Sequence, residues 1–235
     1  MSPAPVDELE ALLEAAGLAQ PLRASLARYG ALVLDANLRF NLTGAKTPQA
    51  LVAHLLDSLT VLPYLREPYV DVGSGAGFPA IPVAIATGMA VTLIEPATKK
   101  ARFIESLLAP LGLRGAIVAQ RAEIAGHAPN LRERFMSGTA RALATATTVA
   151  ELLLPLIATG GVAVMQRGRF APQERTALED AALMLGGRLE AEDAVEGERR
   201  ILVLGKEAAT PLRFPRRVGI PEKRPLCGEG GKAAR

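Results

Sequence analysis

The sequence predicts an α/β domain built on a seven-stranded, mostly parallel sheet, with a helical extension before it and a basic arm after it. Three observations predict this. From residue 67 to about 206, short β-branched runs alternate with helical periodicity, the mark of parallel strands joined by crossover helices. Residues 1–66 show helical spacing alone. The last two strand-like runs follow one another across Glu196-Gly197-Glu198 with no helix between them, which predicts a hairpin and one antiparallel strand.

The elements follow in order. Leu9, Leu12, Leu13 and Ala16 form one apolar stripe, and Leu22, Leu26, Tyr29 and Val33 a second. A third helix is expected from about Pro48 to Tyr64, with Leu51, Leu55, Leu59 and Leu62 on its buried face. The polar loop Phe40-Asn41-Leu42-Thr43-Gly44 lies before it. Strands are expected at Tyr69–Val72, Ala90–Glu95, Ala116–Gln120, Phe135–Thr139, Gly161–Gln166, Arg188–Val195 and Arg199–Leu204. Helices are expected at Ile81–Thr87, Lys99–Leu111, Thr148–Ala158 and Pro172–Leu185. After Lys206 proline and arginine dominate, which reads as an irregular arm. The expected units are 1–66, 67–206 and 207–235.

Composition narrows the function classes. With 235 residues, 49% of them hydrophobic, the chain can bury one sizeable core. Its longest apolar runs fall short of the roughly 20 residues of a membrane span, and the acidic N-terminus is unlike a secretory signal. Cys227 is the one cysteine, so there is no internal disulfide and no cysteine-based metal site. A cytosolic protein with no metal fits. Net charge is +3, but Pro211–Leu226 carries a local net of +4, with Arg213, Arg216, Arg217, Lys223 and Arg224 against Glu222 alone. Such a segment meets phosphates or simply solubilises a tail.

Chemistry concentrates after the first strand of the alternating zone. Asp71-Val72-Gly73-Ser74-Gly75-Ala76-Gly77 has glycines where a tight turn lets a ligand approach the backbone. Gly-x-Gly-x-Gly alone also describes a flexible turn. Its placement between a strand and a helix, with Glu95 eighteen residues beyond Gly77 at the next strand's end, favours an adenosine site whose ribose hydroxyls Glu95 accepts. Asp71 beside the loop disfavours a pyrophosphate and suits the ammonium and sulfonium of S-adenosylmethionine. Phe78 and Pro79 shape the pocket or pack the core. After the third strand, Gln120-Arg121-Ala122-Glu123 offers backbone groups at Ala122 and Glu123 to an adenine edge, or is an ordinary helix start. The whole reads as a Rossmann-like methyltransferase core.

Other chemistries lack their residues. Carbon-5 pyrimidine methylation needs a cysteine nucleophile. The Asn/Asp-Pro-Pro-aromatic loop of exocyclic amine methylation is replaced by Thr139-Ala140-Arg141-Ala142. A nucleophile elbow is missing as well.

The chain resembles the RsmG (GidB) family. The matching pieces are Asn41-Leu42-Thr43, His54-Leu55-Leu56-Asp57-Ser58, Asp71 to Pro79, Lys99-Lys100 with Phe103, Arg141-Ala142, Gly160-Gly161, Arg199, and Phe214-Pro215-Arg216-Arg217 with Pro225-Leu226. The resemblance implies a class I S-adenosylmethionine-dependent fold. It also implies methyl transfer to N7 of one guanine in a conserved hairpin near the decoding centre of 16S ribosomal RNA, with the small ribosomal subunit as partner and a monomer expected. Met136 stands where the family often has aspartate, and Gln166-Arg167-Gly168 where a lysine-glycine pair is common. Under this reading Asn41 touches the guanine, through an amide offering donor and acceptor, or else makes an Asx turn. His54 and Asp57, three apart, meet on one helix face and brace the Asn41 loop, or are a satisfied polar pair. Arg141, at a strand's carboxyl end, holds an RNA phosphate or the methionine carboxylate of the cofactor, or makes a structural ion pair. Lys99, Lys100 and Arg102 are a solvated helix face or part of an RNA footprint. A methyltransferase for another RNA or a small molecule, and a non-catalytic ribosome-assembly factor, stay open.

Overall fold

The computed structural model describes residues 4–227. Three helices come first: α1 (Ala4–Ala15), α2 (Leu22–Asn37) and α3 (Pro48–Leu59). The alternating region follows as β1 (Tyr69–Val72), α4 (Ala80–Thr87), β2 (Val91–Ile94), α5 (Thr98–Leu108), β3 (Gly115–Val118), α6 (Ala122–Ala125), β4 (Phe135–Arg141), α7 (Ala146–Leu153), β5 (Ile157–Arg167), α8 (Pro172–Met184), β6 (Gly187–Ala194) and β7 (Arg200–Lys206). A short α9 (Ile220–Lys223) lies in the C-terminal segment.

The seven strands order as β3-β2-β1-β4-β5-β7-β6. β7 runs antiparallel to both β5 and β6, so it alone opposes the others. The chain reverses its direction of travel across the sheet between β1 and β4. In open α/β sheets the crevice beyond the strand ends at such a reversal is where ligands bind.

Side chains alternate across β1. Tyr69 faces a core shared with α1–α5, while Val70 and Val72 face a second core shared with α7 and α8. Leu9, Leu13, Leu26, Leu51 and Leu55 are fully buried, each contributing roughly 1.5–3 kcal/mol. Gly30 permits this closeness: a Cβ there would lie 3.0 Å from Leu9 and 3.1 Å from Leu51. The N-terminal helices are thus built into the layer that carries α4.

Of the boundaries that differ from the sequence expectation, three do so at an identifiable residue. The third helix starts at Pro48 behind Thr47, whose side chain accepts from the Ala50 amide, but ends at Leu59; Pro63 then sits in a separate 3-10 turn, Leu62–Tyr64. The helix expected through Ala158 ends at Leu153, because Pro155 cannot continue the ladder, and Ile157 already begins β5. Gly160, at φ 83°, lies inside that strand rather than before it. Among the described residues no helix is long and apolar enough to cross a membrane, and no cluster of His, Cys, Asp and Glu is arranged to hold a metal.

Candidate active site

The glycine turn sits at the switch point. Gly73, Gly75 and Gly77 have φ of 75°, 57° and 104°, all in the left-handed region. A Cβ on Gly73 would lie 2.6 Å from Leu143 and one on Gly77 2.6 Å from Ile81, whereas at Gly75 the nearest atom would be 3.9 Å away. The middle of the turn is therefore its open side. The Gly73 amide donates to the Ile94 carbonyl (2.9 Å), the Gly77 amide to the Ser74 carbonyl (2.7 Å), and the Ser74 hydroxyl to the Asp71 carbonyl (3.3 Å). From α2 the buried Tyr29 hydroxyl donates to the Ala76 carbonyl (3.0 Å). Phe78 fixes the end of the turn, edge-on to Tyr29 (5.4 Å between centroids) and against His54 (5.8 Å). Pro79 precedes α4 as its N-cap residue.

Beneath the turn lies a buried hydrogen-bonded chain. Asp71 is paired in register with Thr139 of β4. The Thr139 hydroxyl donates to Asp71 Oδ1 (2.5 Å) and lies 2.6 Å from the Tyr69 hydroxyl. Asp71 Oδ2 is buried with no hydrogen-bond partner among the described residues. Burial pushes the Asp71 carboxyl up to about 7, against the hydroxyl of Thr139, which favours the charged form. A buried carboxyl with one oxygen unpartnered suits a cationic ligand better than a pyrophosphate.

Glu95 binds the loop itself. Its Oε2 accepts from the Gly75 amide (2.9 Å) and its Oε1 from the Ala97 amide (2.8 Å). Each oxygen keeps a further lone pair for a ribose hydroxyl. Beside it opens a cavity of about 190 Å³ lined by Gly73, Ile94, Arg121, Ala122, Glu123 and Leu143, with Pro221 and Glu222 of the C-terminal segment on its wall. Ala122 and Glu123 begin α6, as the sequence suggested. The Glu123 carboxylate is taken by Arg121 (3.1 Å) and the Gly219 amide (2.9 Å), and these donors hold it below the usual carboxylate range against the penalty of burial.

The second cavity, about 560 Å³, lies beyond β4 and β5 and holds His54, Asp57, Arg141, Gln166, Arg167, Arg199 and Arg200. Asp57 is its hub. Oδ2 accepts from Arg141 Nη1 (3.1 Å) and Gln166 Nε2 (3.3 Å), and Oδ1 from Arg199 Nη1 (3.1 Å). Gln166 Nε2 also donates to the Asp57 carbonyl (2.6 Å) and to Thr60 Oγ1 (3.2 Å). The Arg141 guanidinium lies 4.8 Å from the Phe78 ring centroid, which joins the two halves of the site.

Several sequence expectations need adjustment. His54 and Asp57 do not pair: Asp57 turns to three cationic or amide partners, and His54 packs on Phe78. Burial, with Arg141 nearby, lowers the His54 pKa, so it is neutral at pH 7. The loop carrying Asn41 is braced instead by Asn37, whose Oδ1 accepts from the Leu42 and Thr43 amides (2.8 and 3.1 Å) and whose Nδ2 donates to the Thr43 and Ala45 carbonyls (both 3.1 Å). Asn41 is exposed and lines a different groove from Arg141, with Lys46 and Pro48. Its neighbour Phe40 packs edge-on against Phe103 of α5 (6.1 Å). Lys99 and Arg102 on that helix are exposed and Lys100 half-buried. Arg167 Nη1 donates to the Ala144 carbonyl (2.6 Å), holding the loop after β4. Met136 is the second residue of β4, five residues and roughly 16 Å from Arg141, which separates it from the reaction end.

Tyr29, Asn37, Tyr69, Thr139 and Gln166 were not foreseen. Tyr29 read as one more core residue, and Thr139 becomes a partner of Asp71 only through the β1–β4 register.

A family model described as rRNA small subunit methyltransferase G (GidB) matches residues 22–203. The chain belongs to this family. The curated "Ribosomal RNA small subunit methyltransferase G" of Trichormus variabilis is 40% identical over 228 residues, covering 88% of this chain and 93% of the relative. Its namesake from Geobacillus thermodenitrificans is 36% identical over 233 residues, covering 93% and 98%. Among solved structures, the ribosomal protein L11 methylase of Lactobacillus delbrueckii subsp. bulgaricus aligns with TM-score 0.52 at 14% identity over 67% of this chain and 80% of its own. The mitomycin 7-O-methyltransferase MmcR aligns with TM-score 0.52 at 16% identity over 83% and 75%. These two share the fold, which is that of class I methyltransferases. The GidB match spans both cavities' core residues, Asp57 to Arg199, and stops short of the C-terminal segment.

Proposed function

We propose that this member of the GidB family transfers the methyl group of S-adenosylmethionine to N7 of one guanine in the 16S ribosomal RNA of the small subunit. The observation that carries the reading is the junction at Phe78: a left-handed glycine turn over the buried acid Asp71 opens, through Phe78 and Arg141, onto a cavity rich in arginine. The relatives' names support ribosomal RNA as substrate, and the resemblance of Asn41, His54, Asp71–Pro79 and Arg141 to the family supports the N7 position.

When bound, S-adenosylmethionine supplies an electrophilic methyl carbon on a sulfonium. Asp71 attracts the cationic end to the turn, the Gly73–Gly77 backbone lets it approach closely, Glu95 accepts the ribose hydroxyls, and the Ala122–Glu123 backbone reads the adenine edge. Guanine N7 presents a lone pair and no proton at neutral pH, so no general base is required; neutral His54 packs rather than titrates. Positioning alone supplies up to roughly 7–11 kcal/mol in such transfers. Arg141, held by Asp57 against Phe78, steers either an RNA phosphate or the cofactor's carboxylate, and Arg199 and Arg200 extend the positive wall. Asn41 offers its amide to the incoming base from the loop that Asn37 shapes. The exposed Lys99 and Arg102, with Arg213, Arg217, Lys223 and Arg224, give further phosphate contacts. This reading requires a cytoplasmic protein.

Mapping tests it. Ribosomes from cells with the gene are expected to show one N7-methylguanine in 16S RNA by chemical cleavage, lost on deletion and restored by the wild-type gene. Persistence of that cleavage after deletion contradicts the reading. Labelling of a small molecule while RNA stays unlabelled favours the small-molecule alternative. RNA binding with no turnover favours an assembly factor.

A further inference from the structure

Residues 207–227 are more than a basic tail: they fold back over the core as a strap anchored from separate elements. Arg132 donates to the carbonyls of Thr210 (2.6 Å) and Phe214 (2.8 Å). The His127 ring lies 2.7 Å from the Pro215 carbonyl oxygen, and the Thr148 hydroxyl donates to the Pro221 carbonyl (2.8 Å). At the centre, the carboxylate of Glu151 on α7 is fully buried. It accepts from the Arg216 backbone amide (2.7 Å), Nε (2.9 Å) and Nη2 (2.7 Å). A charge taken this far from water persists only when paired, so the bond fixes the strap's position. Of the arm's cations, Arg216 is therefore spent inward, while Arg213, Arg217, Lys223 and Arg224 are exposed.

Past Arg216 the chain turns at Gly219, φ 77°, whose amide donates to Glu123 Oε1 (2.9 Å). The turn delivers Pro221 and Glu222 to the wall of the 190 Å³ cavity, which Gly73, Ile94 and Ala122 also line. Resting on the function proposed above, we propose that the strap is the outer wall of the adenine subsite. Glu151–Arg216 and Glu123–Gly219 are the positioning contacts that set its distance from the glycine turn. Glu123, whose backbone the sequence offered to the adenine edge, keeps that part and also holds the strap through its carboxylate. The wall gives the subsite a size limit, so bulk on the exocyclic amine of the base is excluded. The inward side of the strap, not its exposed cations, carries this role, and a role confined to RNA is the outcome that contradicts it.

Equilibrium dialysis with labelled S-adenosylmethionine, alongside steady-state methylation of small-subunit RNA, tests the assignment on the full-length protein. Arg216→Met is expected to raise Kd and KM for the cofactor about ten-fold, to leave KM for RNA within about two-fold, and to let an N6-benzyl analogue compete that the wild type rejects. Pro221→Gly keeps the ion pair and is expected to shift the same quantities in the same direction, which preserves the test should Arg216→Met fold poorly. Arg216→Lys is expected to recover part of the affinity. Unchanged cofactor Kd and selectivity in both variants, or a loss confined to RNA affinity, overturns the strap assignment while wild-type binding stands. Absence of cofactor uptake by the wild type instead overturns the underlying function.

Discussion

Asp71→Asn is expected to stabilise the ligand-free protein at about pH 8 by roughly 3–4 kcal/mol and to weaken S-adenosylmethionine binding about 100-fold. The carboxyl is buried, and its pKa stands at about 7 rather than 3.8. Its proton is held more tightly in the folded chain than in the unfolded one. The native state is therefore favoured fully below about pH 4, and that advantage is lost as pH climbs through about 7. Asparagine keeps an oxygen for the Thr139 hydroxyl and never ionises, so the loss disappears. The same change removes the negative charge that draws a cation to the turn, and about 3 kcal/mol of charged interaction corresponds to about two orders of magnitude in affinity. Denaturant melts of both forms across pH 4–9, with cofactor titrations, check this. Equal pH dependence in the two forms contradicts it.

Arg141→Ala is expected to lower kcat/KM on small-subunit RNA by about 10²–10³-fold, because removing one charged donor from an organised site costs roughly 3–4 kcal/mol at the transition state. Arg141 is half-buried, bonded to Asp57 and laid over Phe78, so its guanidinium is fixed before substrate arrives. Asp57 retains Arg199 and Gln166 in the variant, which limits the damage to the fold. Arg141→Lys keeps a point charge but not the fork, and is expected to recover only part of the rate. Labelled methyl transfer and a melting curve on each variant separate rate from stability. A loss below about three-fold reduces Arg141 to a structural ion pair.

What the sequence discloses and what it hides divide along the range of the interactions. The strand Tyr69–Val72, the turn after it and the acid at Glu95 are local patterns, and all three lie where the spacing put them. The hairpin across Gly197 and its lone antiparallel strand were legible because no helix intervenes. Asp57 was not legible. Its neighbour His54 is one helical turn away, but its ion pairs are with Arg141 and Arg199, 84 and 142 residues on, and guanidinium groups outcompete a ring already packed on Phe78. Thr139 under Asp71 depends on strand register, and Tyr29 over Ala76 on how α2 packs, neither of which periodicity encodes. The strap was readable as basic composition only. Its inward anchor exists because Glu151, one more acid on a helix, is fully buried.

The central claim is that a sulfonium-bearing adenosyl ligand sits on the Gly73–Gly77 turn with its charge answered by Asp71. Isothermal titration of the wild-type protein with S-adenosylmethionine near pH 7, repeated in buffers of different ionisation enthalpy, addresses it most directly. The account predicts one ligand per chain with release of a fraction of a proton, as the part of Asp71 still protonated near pH 7 ionises, a release that Asp71→Asn abolishes. No heat with this compound or its demethylated product, together with clear uptake of a nicotinamide dinucleotide, contradicts it.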